Sequence, residues 1–240
     1  MKRATLLFLT LLAACADETP RQPAARTETK PPCTSEWTRV GAGIDYRMLR
    51  CLHLVRIDPR LAHLDALVRP GQTAQRIAEN EGYSVVLNAN FFDDHFRPLG
   101  VVVTNGALAN PPHPVSWQSV FSVTAERASI TPVDSWKPEH VIAAAQAGPR
   151  LVVDGKRNDV LRARPDRRSG VCLSADGTIV LFATSDEAQY DVHEMVAIAA
   201  DDLRCRDAML FDGGPSTQLF VRGSANVPGD KNVPAFVVAR

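Results

Sequence analysis

Apolar residues along this chain come in short runs broken by polar turns, a rhythm of strands more than of helices. Residues 37–40, Ile44–Leu49 and Leu52–Ile57 read as successive strands, with Gly41 and Gly43 punctuating the first pair. Residues 61–68 read as a fourth strand. Residues 72–81 change the period: Ala74, Ile77 and Ala78 recur at helical spacing, and Gly82 stands where a C-cap glycine belongs. The β-branched run 84–87 and the run 101–103 are again strands, the latter ending in the hairpin signal Asn105-Gly106. Residues 108–116 read as a proline-rich loop, and 120–123 with 128–130 as another strand pair. Val141–Ala147, small and apolar, leads through Gly148-Pro149-Arg150 into a strand at 151–153. After a basic loop at 156–167, Ser169–Leu173 and 178–183 form a hairpin. Asp191 opens a second helix, with Glu194 completing a capping box and Met195, Val196, Ala199 and Leu203 on its apolar face. That helix feeds a strand at 209–211, and the tail returns in strands at 218–221 and 234–238 across a polar loop at 223–232. The expected fold is α+β, a mixed β-sheet domain with a few inserted helices.

The N-terminus departs from this pattern. Lys2 and Arg3 precede an apolar run over 4–14 that is too short to span a bilayer as a mature helix. It ends in Leu12-Ala13-Ala14-Cys15, which resembles a bacterial lipobox. The resemblance implies a signal peptide at 1–14 and a lipid on Cys15. Asp17 stands one place too late for an inner-membrane retention signal, so the expected location is the outer membrane, facing the periplasm. Residues 15–32 have too few large apolar side chains to fold and read as a tether to a domain at 33–240. The lipid alone serves as anchor, so the domain needs no membrane-binding face.

Charge and cysteine content narrow the picture. Lys plus Arg and Asp plus Glu both number 27, so no basic excess points to nucleic acid. Of five cysteines, Cys15 set aside leaves Cys33, Cys51, Cys172 and Cys205. Three connectivities are open to them; the expectation is Cys33–Cys51 with Cys172–Cys205, each half of the chain paired with itself. No C-x-x-C occurs, which disfavours a redox motif or a zinc knuckle.

Candidate chemistry sits where strands end. The stretch AMLFDGGPSTQL at 208–219 stops an apolar strand at Asp212-Gly213-Gly214-Pro215, holding an acid at a rigid edge with the Ser216 and Thr217 hydroxyls just beyond. Residues 84–87 run likewise into Asn88, Phe91, Phe92, Asp93 and Asp94. Arg150 and Arg168 offer bidentate forks for phosphate, although Arg168 also belongs to a basic run with Arg162, Arg164 and Arg167 that reads as a solvated loop. Glu194 is a candidate second carboxylate, yet its cap role explains it. His113 is a candidate proton carrier. Ser216 lacks a G-x-S-x-G elbow and reads as a substrate-binding hydroxyl. Asp93, Asp94 and Asp212 are the residues a metal site would use, but they form no compact ligand motif.

The blocks NANFFD at 88–93, PLG at 98–100, NG at 105–106, AGPRLVVDGK at 147–156, RSGV at 168–171 and HEMVA…AMLFDGGPST at 193–217 together resemble the phosphodiester glycosidase domain over roughly residues 45–240. The resemblance implies an exported hydrolase, without cofactor, that cleaves a sugar-1-phosphodiester, with N-acetylglucosamine a candidate sugar. It implies Asp212 as base or nucleophile and Glu194 as second carboxylate. Arg168, helped by Arg150, is expected to hold phosphate, and Asn88 and Ser216 to orient sugar hydroxyls. Phe92, Gly213, Gly214 and Thr217 complete the expected substrate site. Two departures stand out. Ala89 and Asn90 replace glycines, with Asn90 expected to keep the turn through a positive φ. Pro215 replaces a third glycine and removes a backbone donor. A non-catalytic glycan-binding lipoprotein and a metal-dependent phosphodiesterase are the alternatives.

Overall fold

The computed structural model describes residues 33–161 and 164–240. The signal segment, Cys15, the tether to residue 32, and Arg162 lie outside the described residues.

The strands β1 (Thr38–Gly41), β2 (Ile44–Leu49) and β3 (Leu52–Ile57) form an antiparallel meander. β4 (Leu64–Gln72) passes into α1 (Ala74–Glu81). Thr73 caps this helix through its hydroxyl, and Gly82 ends it in the left-handed region at φ 76°. Ala74, Ile77 and Ala78 are the face it buries. β5 (Val85–Asn88) follows, then β6 (Val102–Thr104), β7 (Ala107–Asn110), β8 (Ser119–Thr124), β9 (Ala128–Pro132) and β10 (Val141–Ala147). β11 (Arg150–Val153), the short β12 (Lys156–Arg157), β13 (Ser169–Leu173) and β14 (Ile179–Thr184) lead to α2 (Val192–Ala197), which continues in a π-helical turn, Ile198–Asp202. β15 (Asp207–Leu210), β16 (Leu219–Val221), β17 (Ala225–Val227) and β18 (Val233–Ala239) complete the chain. β7 and β17 occupy parts of the two stretches expected to be loops.

The strands form three sheets, in the orders β1-β2-β3-β14-β13-β15-β11-β12, β7-β6-β10-β8-β9 and β17-β16-β5-β18-β4. The sheet expected to be mixed is antiparallel at every described pairing. The reason is a device used twice. α1 joins β4 to β5, which run in the same direction, but the C-terminal strand β18 lies between them and opposes both. α2 joins β14 to β15, again codirectional, and β13 lies between them and opposes both. Each helix makes the crossover that a parallel pair requires, and an inserted strand then separates the pair.

One core holds the three sheets together. Val55 and Leu181 of the first sheet, Phe121 and Ala145 of the second, and Leu87 and Val237 of the third belong to a single buried cluster. The outer face of the first sheet packs Leu54 and Phe182 under Val192, Met195 and Val196 of α2, while Phe236 and Val86 of the third sheet pack under α1. Disulfides join Cys33 to Cys51 and Cys172 to Cys205, the expected pairing.

Candidate active site

Both helical crossovers deliver strands whose C-terminal ends meet. β5 ends at Asn88 and β15 runs out through Phe211 into Asp212, and the two ends are stitched together. The Asp212 N–H donates to the Ala89 carbonyl at 2.8 Å. The Asp212 carbonyl accepts from the Asn88 side-chain amide at 2.6 Å and from the Ser169 hydroxyl at 3.0 Å. Asn88 is fully buried, and its side-chain oxygen accepts from the Gln218 N–H at 3.1 Å. Both polar ends of Asn88 are therefore spent on the two ends of the Asp212 turn, and it clamps that turn where a sugar ligand had been expected.

The glycines of the turn are there because the segment Asp166-Arg167 passes close. A Cβ on Gly213 would lie 2.9 Å from the Arg167 carbonyl, and one on Gly214, whose φ is +57°, 2.9 Å from the Asp166 carboxylate. Upstream, neither Ala89 nor Asn90 takes a positive φ. Asn90 is instead buried, with its amide donating to the Gly100 and Val101 carbonyls at 3.3 and 3.0 Å. The left-handed position of this region is Gly100 at φ 114°, where a Cβ would run into Gln146.

Asp212 opens into a cavity of about 660 Å³. Phe91, Phe92 and Phe96 form one part of its lining, and Asp93, Asp94, Gly213, Pro215, Ser216, Lys231 and Asn232 the rest. Burial pushes the Asp212 carboxyl up to about 6; the Ser216 hydroxyl, the Lys231 charge and the Gly213 N–H pull against that rise. Ser216 thus acts on Asp212 itself. At neutral pH the carboxylate is mostly ionised yet far more basic than an exposed one.

The remaining candidates fall in different places. Glu194 is exposed and does not line this cavity; its carboxylate accepts the Asp191 N–H at 2.9 Å and completes the helix cap. Arg168 lies against Gly213 but outside the cavity lining, and it spends Nε on the Tyr190 carbonyl at 3.0 Å and Nη2 on the Arg164 carbonyl. Arg150 begins β11 opposite Met209, outside the cavity lining. Thr217 is fully buried beneath the turn, and its carbonyl accepts from Arg167 at 2.8 Å. His113 is exposed and outside the lining. Asp93, Asp94 and Asp212 share the cavity, but among the described residues they do not converge as a group able to hold a metal ion. Hydrogen bonds from the Arg97 backbone and guanidinium hold the Asp93 carboxyl down at about 2.

Three contributors were not legible in the sequence. Lys231 and Asn232 belong to the stretch taken as a polar loop, and only the insertion of β18 beside β5 brings them to Asp212. Arg167, expected in a solvated loop, is buried. It donates through Nη2 to the carbonyls of Thr217 and Pro228, each at 2.8 Å, and pairs with Asp186 at 3.2 Å. The arginine-rich composition of 162–168 gave no sign of which guanidinium turns inward.

The family model of phosphodiester glycosidases matches residues 81–239. No curated protein sequence matches the chain. Among solved structures, the catalytic domain of zebrafish N-acetylglucosamine-1-phosphodiester alpha-N-acetylglucosaminidase, auto-inhibited by its pro-peptide, aligns with a TM-score of 0.62 at 13% identity, over 90% of this chain and 86% of that one. A hypothetical protein from Synechocystis aligns with a TM-score of 0.54 at 15% identity, over 85% of this chain. The chain spans 61% of the length of that Synechocystis protein. At these identities the likeness is one of fold.

Proposed function

The chain belongs to the phosphodiester glycosidase family, and on that premise we propose that it hydrolyses the bond between a sugar's anomeric carbon and a phosphodiester oxygen. The observation that carries this reading is the meeting of Asp212, raised to about 6, with the Lys231 ammonium in one cavity. Asp212 is basic enough to take a proton from water or to attack C1 itself. Lys231 balances the charge of the phosphodiester. The C1–O bond breaks with its electron pair leaving on the phosphate, which needs little help from an acid. Asp94, exposed in the same cavity, takes the place of second carboxylate that Glu194 does not fill. N-acetylglucosamine is the first sugar to try, because the zebrafish neighbour is named for it.

The lipobox-like Leu12-Ala13-Ala14-Cys15 supports an outer-membrane lipoprotein facing the periplasm. Two disulfides fit such an oxidising compartment.

The test is hydrolysis of a panel of sugar-α-1-phosphodiesters in ¹⁸O water, with products read by mass spectrometry. Label in the released sugar is the expected result. Label in the phosphate means that the P–O bond is cut, and no release from any substrate leaves a glycan-binding protein. Either outcome overturns the glycosidase reading.

A further inference from the structure

Phe96 is held in a backbone conformation that bulky side chains rarely adopt, at φ +57°. Its turn is closed from several sides. The Asp93 N–H donates to the Arg97 carbonyl at 3.1 Å and the Phe96 N–H to the Asp93 carbonyl at 3.0 Å. The Asp93 carboxylate accepts from the N–H groups of His95 and Arg97 and pairs with the Arg97 guanidinium at 2.7 Å. The consequence is a ring laid on another ring: Phe96 and Phe92 stack with centroids 5.7 Å apart and planes 16° from parallel. Phe92 packs behind against the cluster under α1. Phe96 nevertheless stays 40% exposed. The strained turn keeps the Phe96 ring partly in solvent, outside the core.

Phe92 and Phe96 both line the Asp212 cavity. An aromatic face is the negative side of the ring's quadrupole, so it repels phosphate and attracts polarised C–H bonds. We propose that the Phe92–Phe96 pair is a sugar subsite. A pyranose lays its C–H face on this wall, with C1 toward Asp212 and the phosphodiester toward Lys231. The inference rests on the phosphodiester glycosidase reading above. A sugar fits better than an alkyl aglycone because Asp94, Asp212 and Asn232 share the lining. Ring hydroxyls satisfy these polar groups, whereas an alkyl chain would leave them unpaired.

The test uses the full-length protein and Phe96→Gly, which relieves the left-handed strain and therefore folds; a thermal melt checks this. KM and kcat are measured for glycosyl phosphodiesters carrying a methyl or an octyl group on the phosphate. The expected result is a KM raised about tenfold, by the same factor for both groups, with kcat changed much less. A loss that is larger for the octyl substrate assigns the wall to the aglycone and overturns the proposal, as does an unchanged KM. If the wild type turns over no substrate, the hydrolase reading fails and the subsite is judged separately. Saturation-transfer NMR with N-acetylglucosamine, glucose and galactose then serves. Contact with the wild type that Phe96→Gly loses supports the subsite; no contact, or contact unchanged in the variant, overturns it.

Discussion

Asn88 and Asp212 lie 124 residues apart in sequence, and the side-chain amide of the first donates to the backbone carbonyl of the second at 2.6 Å. This bond crosses from the third sheet to the first. The other end of the same side chain accepts from Gln218, on the far side of the Asp212 turn. A single buried residue thus fixes both ends of the segment that carries the proposed catalytic carboxylate.

Asn88→Ala is accordingly expected to lose both stability and activity. It removes two buried hydrogen bonds and leaves the Gln218 N–H unpaired, a cost of about 2–3 kcal/mol. The kcat is expected to fall at least about tenfold, since the carboxylate is no longer aimed. Denaturant unfolding and steady-state kinetics check the two effects. An unchanged kcat in a folded variant would remove Asn88 from the positioning role.

Asp212 ties activity and stability to pH with opposite signs. Its folded-state pKa is raised from 3.8 to about 6, so the folded protein holds this proton more tightly than the unfolded chain. The stability that the neutral form contributes is complete below about pH 4 and is lost as pH rises to about 6, some 3 kcal/mol in all. Asp212→Asn escapes that loss. It is expected to be more stable than wild type at pH 7, by about 1–3 kcal/mol, and equal to it near pH 4. Its turnover is expected to fall at least about a hundredfold, while wild-type kcat/KM rises with pH through about 6. Thermal melts across pH and a pH–rate profile measure both.

How much of this was legible in the sequence depends on whether the cue was local. The helix at 74–81 was readable because Ala74, Ile77 and Ala78 share a face and Gly82 caps it. The Asp212 turn was readable from an apolar strand broken by D-G-G-P. The pairing of Cys172 with Cys205 needed only the assumption that each half closes on itself. The antiparallel sheets were not readable, because nothing near α1 or α2 tells that β18 or β13 will separate the strands each helix joins. Lys231 was missed for the same reason, since its place beside Asp212 exists only once β18 has paired with β5. Arg167 was misjudged because arginines in one basic run look alike, and only the fold decides which meets buried carbonyls. Glu194 was read correctly as a cap; the spacing that makes the capping box also offered it as a carboxylate, and only the fold shows that it lies away from the Asp212 cavity.

Lys231→Met makes two expectations testable together. The ammonium lowers the Asp212 pKa, so its loss is expected to move the acid limb of the pH–rate profile to higher pH. It also removes the cation proposed to meet the phosphodiester, and KM is expected to rise about tenfold or more at low ionic strength, less at high salt. Lys231→Arg keeps the charge and is expected to restore most of the affinity. A variant that weakens binding without shifting the acid limb would detach Lys231 from Asp212.

Arg167 provides the last test, because it joins the Asp212 turn to the loop that carries Lys231. One guanidinium nitrogen donates to Thr217, just past the turn, and to Pro228, at the start of that loop. Another lies 3.6 Å from the Asp230 carboxylate. The Asp186 and Asp230 carboxylates remain exposed to solvent, so removing the arginine strands no buried charge. What it strands is two carbonyls, and Arg167→Met is expected to cost about 2–4 kcal/mol. The same change releases the anchor of this loop at Pro228 and leaves the Asp230 and Lys231 N–H bonds to the Pro215 carbonyl to hold it, so Lys231 faces Asp212 in a less fixed position. KM is therefore expected to rise alongside the loss of stability, and the acid limb to shift upward as in Lys231→Met. Because one nitrogen meets both carbonyls, Arg167→Lys, whose ammonium carries three donors, is expected to recover part of the loss while giving up the second nitrogen's approach to Asp230. Were Arg167→Met to lose stability yet keep the wild-type pH profile and KM, the residue would hold the turn together without setting the place of Lys231.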